Sequence, residues 1–238
     1  MSSLNLTVDD TLDLVTVSGQ SWNDDGSRLG FLRDADGETT FGAHSVGTVE
    51  GTAVSLGDGT LDPETLLDRP VGAFEWRPNH PDEALVASDG DLYTVDAATG
   101  ETNPFVTAPE PCGAPTWHPD GDRVAYIRDG TLWVHHVDGP VRGLTADTDF
   151  GPAADLFGPT PLMWDPAGDH LAVVVETAHE SLGVAVYDAA EGTLAWADTP
   201  DYGDGFFMAD FAWVGDGHLV YAQDATTGDE RVYRSVRL

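Results

Sequence analysis

Short apolar runs alternate with turn residues along the chain. Residues 114–139 read APTWHPDGDRVAYIRDGTLWVHHVDG and show this pattern most fully. A short run ends at Trp117, an Asp-Gly turn follows, and an apolar run at 123–127 leads to a second Asp-Gly turn and a third run. Asp-Gly between apolar runs favours a tight hairpin. With a weaker fourth run at 141–144, the stretch predicts four short antiparallel strands.

Similar stretches occur four more times, and each copy has a tryptophan at the end of its first run. The anchors are Trp22, Trp76, Trp117, Trp164 and Trp213, which are 54, 41, 47 and 49 residues apart. A four-stranded sheet cannot bury both of its faces alone, whereas copies that stack in a ring bury them. The repeat therefore predicts an all-β chain, a β-propeller of four-stranded antiparallel blades, as a single domain over residues 1–238.

The turn after each tryptophan carries a family resemblance. The best copy is Trp117-His118-Pro119-Asp120-Gly121, and the other copies keep either Pro and Gly or Asp and Gly, except at Trp76, where residues 77–83 replace the tight turn. This motif resembles the WD40-like propeller repeat of TolB and of the dipeptidyl peptidase IV and prolyl oligopeptidase families. The resemblance covers nearly the whole chain. It implies the architecture and says little about function, because propellers host many unrelated activities.

The fifth copy ends after its third run, so an outer fourth strand is missing. Residues 4–8, with the sequence LNLTV, form an extra run before the first repeat. If this run pairs with residues 231–238, it completes the last blade and removes an open sheet edge. We therefore expect five blades closed by the N-terminal strand. The alternative is a fragment of a ring with six to eight blades.

Charge changes the expected environment but not the fold. The chain has 42 acidic and 10 basic residues, all of the latter arginine, and a formal net charge of −32. With 41% hydrophobic residues it is not a disordered acidic chain. In molar salt the Debye length falls to about 3 Å, so like charges barely repel. The composition indicates a halophilic protein with an acidic surface. An acidic surface that binds a basic partner is the alternative.

Other sequence features exclude several classes of function. Without a cluster of basic residues we expect no nucleic-acid partner. The N-terminus shows no secretory signal and no apolar run is long enough to span a membrane, so we expect a cytoplasmic protein. The single cysteine, Cys112, excludes an intrachain disulfide and is expected to be a small apolar residue within a blade.

Catalytic and metal-binding motifs are absent from the sequence. There is no Gly-x-Ser-x-Gly, His-Glu-x-x-His, Cys-x-x-Cys or phosphate-binding loop. His135 and His136 are neighbours in a predicted strand, so their side chains point to opposite faces and cannot bind one ion together. The acidic loops at 147–149 and 201–204 lack the ligand spacing of an EF-hand. We expect no catalytic residue, no metal site and no cofactor.

Long connections give the clearest functional signal. Residues 57–72, 145–161 and 198–210 are expected to join blades on one face of the propeller, the first of them containing a short helix that starts near Asp62 and Pro63. Loops on a rigid scaffold commonly bind ligands. The candidate binding residues are the aromatic ones of the last two loops: Phe150, Phe157, Tyr202, Phe206 and Phe207. The alternative is that these side chains fill the central channel.

Three functions remain open from the sequence. The first is a non-catalytic scaffold that binds a protein or peptide partner through the long-loop face. The second, which the resemblance implies, is the substrate-gating propeller domain of a prolyl-oligopeptidase-like serine peptidase whose hydrolase domain is separate. The third is a propeller glycosidase or lectin, which requires paired carboxylates in the channel. We favour the first, because nothing in the sequence shows the groups that the others require.

Overall fold

The computed structural model describes residues 16–35, 38–45, 49–50, 53–54, 64–67, 70–144, 150–152, 162–177, 182–199, 206–215, 217–225 and 231–238. Within these ranges every regular element is a β-strand, and no helix is long and apolar enough to cross a membrane. The chain divides into two compact units, Met1–Pro109 and Glu110–Leu238.

The first unit contains two four-stranded antiparallel sheets. Sheet 1 consists, in spatial order, of β1 (Thr16–Trp22), β2 (Arg28–Ala35), β3 (Glu38–Ser45) and β6 (Glu64–Leu67). A small ribbon of β4 (Val49–Glu50) and β5 (Ala53–Val54) lies between β3 and β6 in the chain. Sheet 2 consists of β7 (Val71–Trp76), β8 (Glu83–Ser88), β9 (Asp91–Asp96) and β10 (Thr102–Val106).

The second unit contains three sheets. Sheet 3 consists of β11 (Cys112–Trp117), β12 (Arg123–Arg128), β13 (Thr131–His136) and β14 (Val141–Leu144). Sheet 4 consists of β15 (Phe150–Pro152), β16 (Leu162–Trp164), β17 (His170–Thr177), β18 (Leu182–Asp188) and β19 (Leu194–Asp198), with β15 and β16 both paired to β17. Sheet 5 consists of β20 (Phe206–Trp213), β21 (His218–Ala225) and β22 (Arg231–Arg237).

The repeat pattern is confirmed strand by strand. Each anchoring tryptophan is the last residue of a strand: Trp22 ends β1, Trp76 ends β7, Trp117 ends β11, Trp164 ends β16 and Trp213 ends β20. The hairpin between β12 and β13 turns at Asp129 and Gly130, whose φ angles of 48° and 63° are both left-handed, as a type I′ turn requires. Cys112 is buried at the start of β11, as expected.

Apolar clusters join neighbouring sheets within each unit. In the second unit, Leu132 and Val134 of sheet 3 belong to the same cluster as Leu171 and Val173 of sheet 4. Sheets 4 and 5 share a further cluster, and sheets 1 and 2 share one in the first unit. Because sheet 4 supplies apolar residues to a cluster on each of its faces, β18 is buried over five consecutive residues, Gly183 to Tyr187.

The predicted helix in the first long connection is wrong. Residues 64–67 form β6, which pairs with β3 through Gly42 with Thr65 and Ala43 with Glu64. Asp62 and Pro63, the predicted helix start, lie outside the described residues. The pairing fills the outer edge of sheet 1, and this long-range contact outweighs the local helix signal.

Sheet 5 has three strands among the described residues, as the sequence predicted. The N-terminal run expected to complete it, residues 4–8, lies outside the described part of the chain. The number of blades and the closure of the ring therefore stay predictions, whereas antiparallel sheets of three to five strands are observed.

Candidate functional site

A polar, buried residue follows each of the first four tryptophans. The exposed fractions of Asn23, Arg77, His118 and Asp165 are 3%, 9%, 3% and 1%. We call the residue directly after each anchoring tryptophan the junction position. In sheet 5 the junction position is Val214, which is 56% exposed. Sequence reasoning missed these residues, although a polar residue directly after four of five anchoring tryptophans was a visible signal.

Two junction residues bond to the next sheet. The amide nitrogen Nδ2 of Asn23 donates to the carbonyl oxygen of Pro81 at 2.8 Å, and Nε2 of His118 lies 2.8 Å from the carbonyl oxygen of Gly168. Both acceptors belong to the turn after the first strand of the following sheet. The junction position therefore fixes one end of adjacent sheets to each other.

Three of the anchoring tryptophans make a second repeated contact between neighbouring sheets. The indole nitrogen of each of the three donates to the carbonyl oxygen of the residue that precedes the tryptophan of the preceding sheet. The pairs are Trp76 to Ser21 at 3.0 Å, Trp164 to Thr116 at 3.4 Å and Trp213 to Met163 at 3.0 Å. The same type of hydrogen bond therefore joins sheet 1 to sheet 2, sheet 3 to sheet 4, and sheet 4 to sheet 5.

Charged groups surround His118. The backbone N–H of Asp120 lies 3.0 Å from Nδ1 of His118, while Nε2 faces the carbonyl oxygen of Gly168. The guanidinium of Arg123 pairs with the Asp120 carboxylate at 2.8 Å and lies 5.9 Å from the Trp164 ring centre. Burial raises the pKa of Asp120, but hydrogen bonds from the Asp122 backbone and from Arg123 outweigh it, and the pKa is lowered. The Arg123 guanidinium therefore neutralises the Asp120 carboxylate, and this ion pair stabilises the contact between sheets 3 and 4 at His118.

Sheets 4 and 5 have an additional polar tie. The hydroxyl of Tyr221 donates to Oδ2 of Asp198 at 2.6 Å, and the Tyr221 ring lies 5.7 Å from that of Trp196. Burial, with this hydrogen bond to a carboxylate, raises the pKa of Tyr221. The phenol therefore remains a hydrogen-bond donor over the neutral range.

Three of the five predicted binding residues lie at one end of sheets 4 and 5. Phe150 pairs with Thr177, the last residue of β17, while Phe206 and Phe207 pair with Ala225 and Asp224 at the end of β21. We call this the hairpin end, because β17 leads into β18 there and β21 leads into β22; the connecting residues, 178–181 and 226–230, lie outside the described part of the chain. The other two residues, Phe157 and Tyr202, lie outside the described residues, so the site as a whole stays a prediction.

The structure corrects the limits of the two loops that hold these residues. The loop predicted at 145–161 contains β15, and β15 and β16 are two parts of one first strand interrupted by residues 153–161. The break between β15 and β16 falls where the first strands of sheets 3 and 5 shift register. The loop predicted at 198–210 ends where β20 begins, at Phe206.

A shallow cavity of about 280 Å³ lies beside the turn between β13 and β14. Its lining residues are Asp122, His136, Val137, Asp138 and Gly139. Within the ranges that the structure describes, no group of three histidine, cysteine, aspartate or glutamate residues is arranged to hold a metal ion. The acidic loops at 147–149 and 201–204 fall outside those ranges, and none of the predicted binding residues lines this cavity.

Comparison with known proteins shows that this chain is similar in structure to propeller-containing proteins. No family model matches the sequence, and no curated protein matches it. A puromycin-hydrolyzing peptidase of Mycobacterium tuberculosis matches with a TM-score of 0.68 and 16% identity, over 99% of this chain and 38% of the peptidase. Dipeptidyl peptidase 4 of Porphyromonas gingivalis matches with a TM-score of 0.63 and 12% identity, over 97% and 40%. A putative TolB of Agrobacterium tumefaciens matches with 0.56 and 17%, over 77% and 64%.

These similarities support a propeller of the TolB and dipeptidyl peptidase type. At such low identity they show the fold alone. The chain spans about two fifths of each peptidase and under two thirds of the TolB chain.

Proposed function

We propose that the chain is a non-catalytic propeller scaffold that binds a protein or peptide partner at the hairpin end of sheets 4 and 5. The observation that carries the proposal is the strand register, which puts Phe150, Phe206 and Phe207 at that end of two adjacent sheets. Aromatic side chains on loops and loop-proximal strand ends are favoured at protein interfaces.

In the proposed architecture each sheet is one blade of a single domain over residues 1–238. Five blades account for the five tryptophan repeats, and residues 4–8 supply the fourth strand of the blade that β20, β21 and β22 begin. The proposed setting is halophilic and cytoplasmic. Neither a nucleic acid nor a cofactor takes part in this function.

A second candidate is the propeller domain of a prolyl-oligopeptidase-like peptidase. The observation in its favour is that 99% of this chain superposes on 38% of a puromycin-hydrolyzing peptidase. In this candidate the propeller screens substrates while a separate hydrolase domain performs the chemistry. The scaffold candidate is preferred because it requires only groups that this chain contains.

The test of the scaffold is selection of binding peptides from a random peptide library in molar KCl, where screening suppresses unspecific attraction to the acidic chain. The enriched peptide is then titrated against a variant with Phe150, Phe206 and Phe207 changed to Ala. We expect its affinity to fall by about tenfold or more, as for interface aromatics. The matched control is Val141→Ala, which is 45% exposed on β14 and is expected to bind normally.

Three results would contradict the scaffold. These are the enrichment of no peptide, equal binding by the triple variant, and a large loss of stability in that variant, which would place the rings inside the channel. To test the second candidate, the endogenous protein is isolated and treated with a fluorophosphonate probe. Labelling of a chain heavier than 25.3 kDa would favour the peptidase domain.

A further inference from the structure

Six polar or charged side chains are buried in the described part of the chain, and five of them hydrogen-bond to another described residue. The five are Asn23, Arg77, Ser88, His118 and Asp165. The sixth, Gln223 of β21, is 2% exposed, and no hydrogen bond joins its side-chain amide to any residue that the structure describes. Native proteins keep few such groups, because a buried amide without a partner destabilises the fold.

Strand alternation directs the Gln223 side chain toward sheet 4. Leu219 and Tyr221 of the same strand belong to the apolar cluster that sheets 4 and 5 share. The register between β21 and β22 runs without a shift, and successive side chains of a strand point to opposite faces, so Gln223 is on the same face as these two residues. It is also two residues closer than Tyr221 to the end of β21. The amide therefore lies on the sheet 4 side of β21, near the hairpin end.

Sheet 4 places two carboxylates at the same boundary. Ala172 and Val174 of β17 belong to the shared cluster, so alternation puts Glu176 on the face toward sheet 5. Asp198, the last residue of β19, accepts a hydrogen bond from the Tyr221 hydroxyl through Oδ2 at 2.6 Å. No described residue hydrogen-bonds to its other oxygen, Oδ1, and the residue is half-buried. The boundary thus holds a second polar group with unused hydrogen-bonding capacity.

The sequence around the hairpin end is strongly acidic. Three connections join strands at this end, residues 176–182, 198–206 and 224–230, and eight of their 23 residues are acidic while none is arginine. Over the whole chain, 42 of 238 residues are acidic, which is fewer than one in five. Because complementary charge selects binding partners, these connections favour a cationic ligand over an anionic one.

We propose that the boundary between sheets 4 and 5 at the hairpin end binds an arginine side chain of the partner peptide through Gln223 and Asp198. This inference rests on the proposed function, since it names the residue by which the peptide at that site is recognised. A guanidinium has five N–H donors in a plane, so it can donate to Oε1 of Gln223 and to Oδ1 of Asp198 together. Glu176 adds negative charge to the same boundary.

The experiment compares two synthetic hexapeptide libraries that differ at one fixed position, which is arginine in the first and its neutral isostere citrulline in the second. Binding is measured in molar KCl, which screens unspecific attraction to the acidic chain far more than it screens a partly buried ion pair. We expect the wild type to retain the arginine library at least tenfold better. Equal retention of both libraries would overturn arginine recognition and leave the scaffold standing, whereas retention of neither would overturn both proposals.

Variants test the two acceptors with an enriched arginine peptide. Gln223→Leu and Asp198→Asn, the second of which keeps an oxygen for the Tyr221 hydroxyl, should each weaken binding by about tenfold, as the loss of a hydrogen bond to a charged group does. The matched control is Gln20→Leu, because Gln20 is the chain's only other glutamine and is exposed on β1. Arg234 is exposed and is paired with Tyr221 in the register, so Arg234→Gln removes a like charge and should tighten binding.

Unfolding in denaturant separates recognition from a structural role of Gln223. Because its amide has no partner among the described residues, Gln223→Leu should keep or raise the unfolding midpoint. A lowered midpoint would overturn the proposal, since it would show that the amide is hydrogen-bonded inside the fold, for example to an enclosed water. Weaker peptide binding by Arg234→Gln would also overturn it, because the peptide would then be held by an acidic group.

Discussion

Nε2 of His118 lies 2.8 Å from the carbonyl oxygen of Gly168, so a single hydrogen bond ties the first turn of sheet 3 to the first turn of sheet 4. The His118 ring is also edge-on to Trp164, with the ring centres 4.7 Å apart. Gly168 has a φ of 80°, and a Cβ on it would run into the His118 ring. The close approach of the two sheets therefore depends on both residues.

Gly168→Ala should strain the backbone and displace His118. A non-glycine residue in this left-handed region costs about 1–2 kcal/mol, and overpacking adds about 1–3 kcal/mol. The matched control is Gly26→Ala, at the same turn of sheet 1, where φ is 69° and nothing lies within 4 Å of the added Cβ. Denaturant unfolding of both variants checks this expectation. Equal losses would show that His118 does not constrain Gly168.

The buried tryptophans should contribute far more to stability than Trp22. Trp117→Ala is expected to cost about 3–5 kcal/mol, as large core truncations do. Trp22→Ala, at the equivalent but exposed position, should cost about 0.5 kcal/mol in dilute solution, as surface changes do. Denaturant midpoints at low protein concentration measure both. A small cost for Trp117 would contradict the repeat alignment.

Tyr221→Phe should change the alkaline stability profile. The folded state raises the pKa of this phenol, so its contribution is complete below about pH 10, the unfolded value, and falls as pH rises above it. Above pH 10, the contribution of Tyr221 to the free energy of unfolding of the wild type should fall by about 1.4 kcal/mol per pH unit. Because Tyr221→Phe lacks the hydrogen bond to Asp198, its free energy of unfolding at neutral pH should be about 1.5 kcal/mol lower than that of the wild type. Above pH 10 its free energy of unfolding should fall less steeply with pH.

Urea unfolding from pH 7 to 11 measures the effect of Tyr221→Phe. Tyr233→Phe is the control for loss of a phenol hydroxyl, because that side chain is 70% exposed. Identical alkaline slopes in the wild type and Tyr221→Phe would show that the bond to Asp198 does not hold the phenol proton.

Local sequence patterns predicted most of the strands. The features that the sequence did not predict, such as the strand at residues 64–67, depend on contacts between residues that are distant in the chain. The Asp129–Gly130 hairpin follows from turn chemistry alone, and so does the end of each first strand at a tryptophan. Residues 64–67 form a strand because they pair with the edge of β3. Their local sequence does not predict this pairing. The exposure of Trp22 likewise depends on which sheet lies beside it, and the repeat alone does not contain that information.

The candidate site was predictable only in part for the same reason. Phe150 and Phe206 fall at one end of their sheets because the strand register places them there, and the alternation of apolar residues predicts that register. The insertion at 153–161 has no apolar period, so the sequence showed a long loop without showing that it interrupts a strand.

Removal of residues 1–9 tests the predicted fourth strand of sheet 5. If residues 4–8 pair with β22, their loss should leave a strand edge open and cause destabilisation or aggregation. Thermal unfolding and solubility are compared with a control that lacks only residues 1–3. Unchanged unfolding and solubility in the longer deletion would exclude residues 4–8 as that strand.

Salt should control the stability of the fold. With a formal net charge of −32, the chain repels itself when the Debye length is about 10 Å near 0.1 M salt, and much less when it is about 3 Å at 1 M. We expect the melting temperature to rise steeply from dilute buffer to near-saturated KCl, and the fold to loosen at the low end. A parallel series in sucrose is the control, since sucrose favours compact states without screening charge. A melting temperature that stays flat in KCl would reject the halophilic interpretation, and it would favour an acidic surface that binds a basic partner.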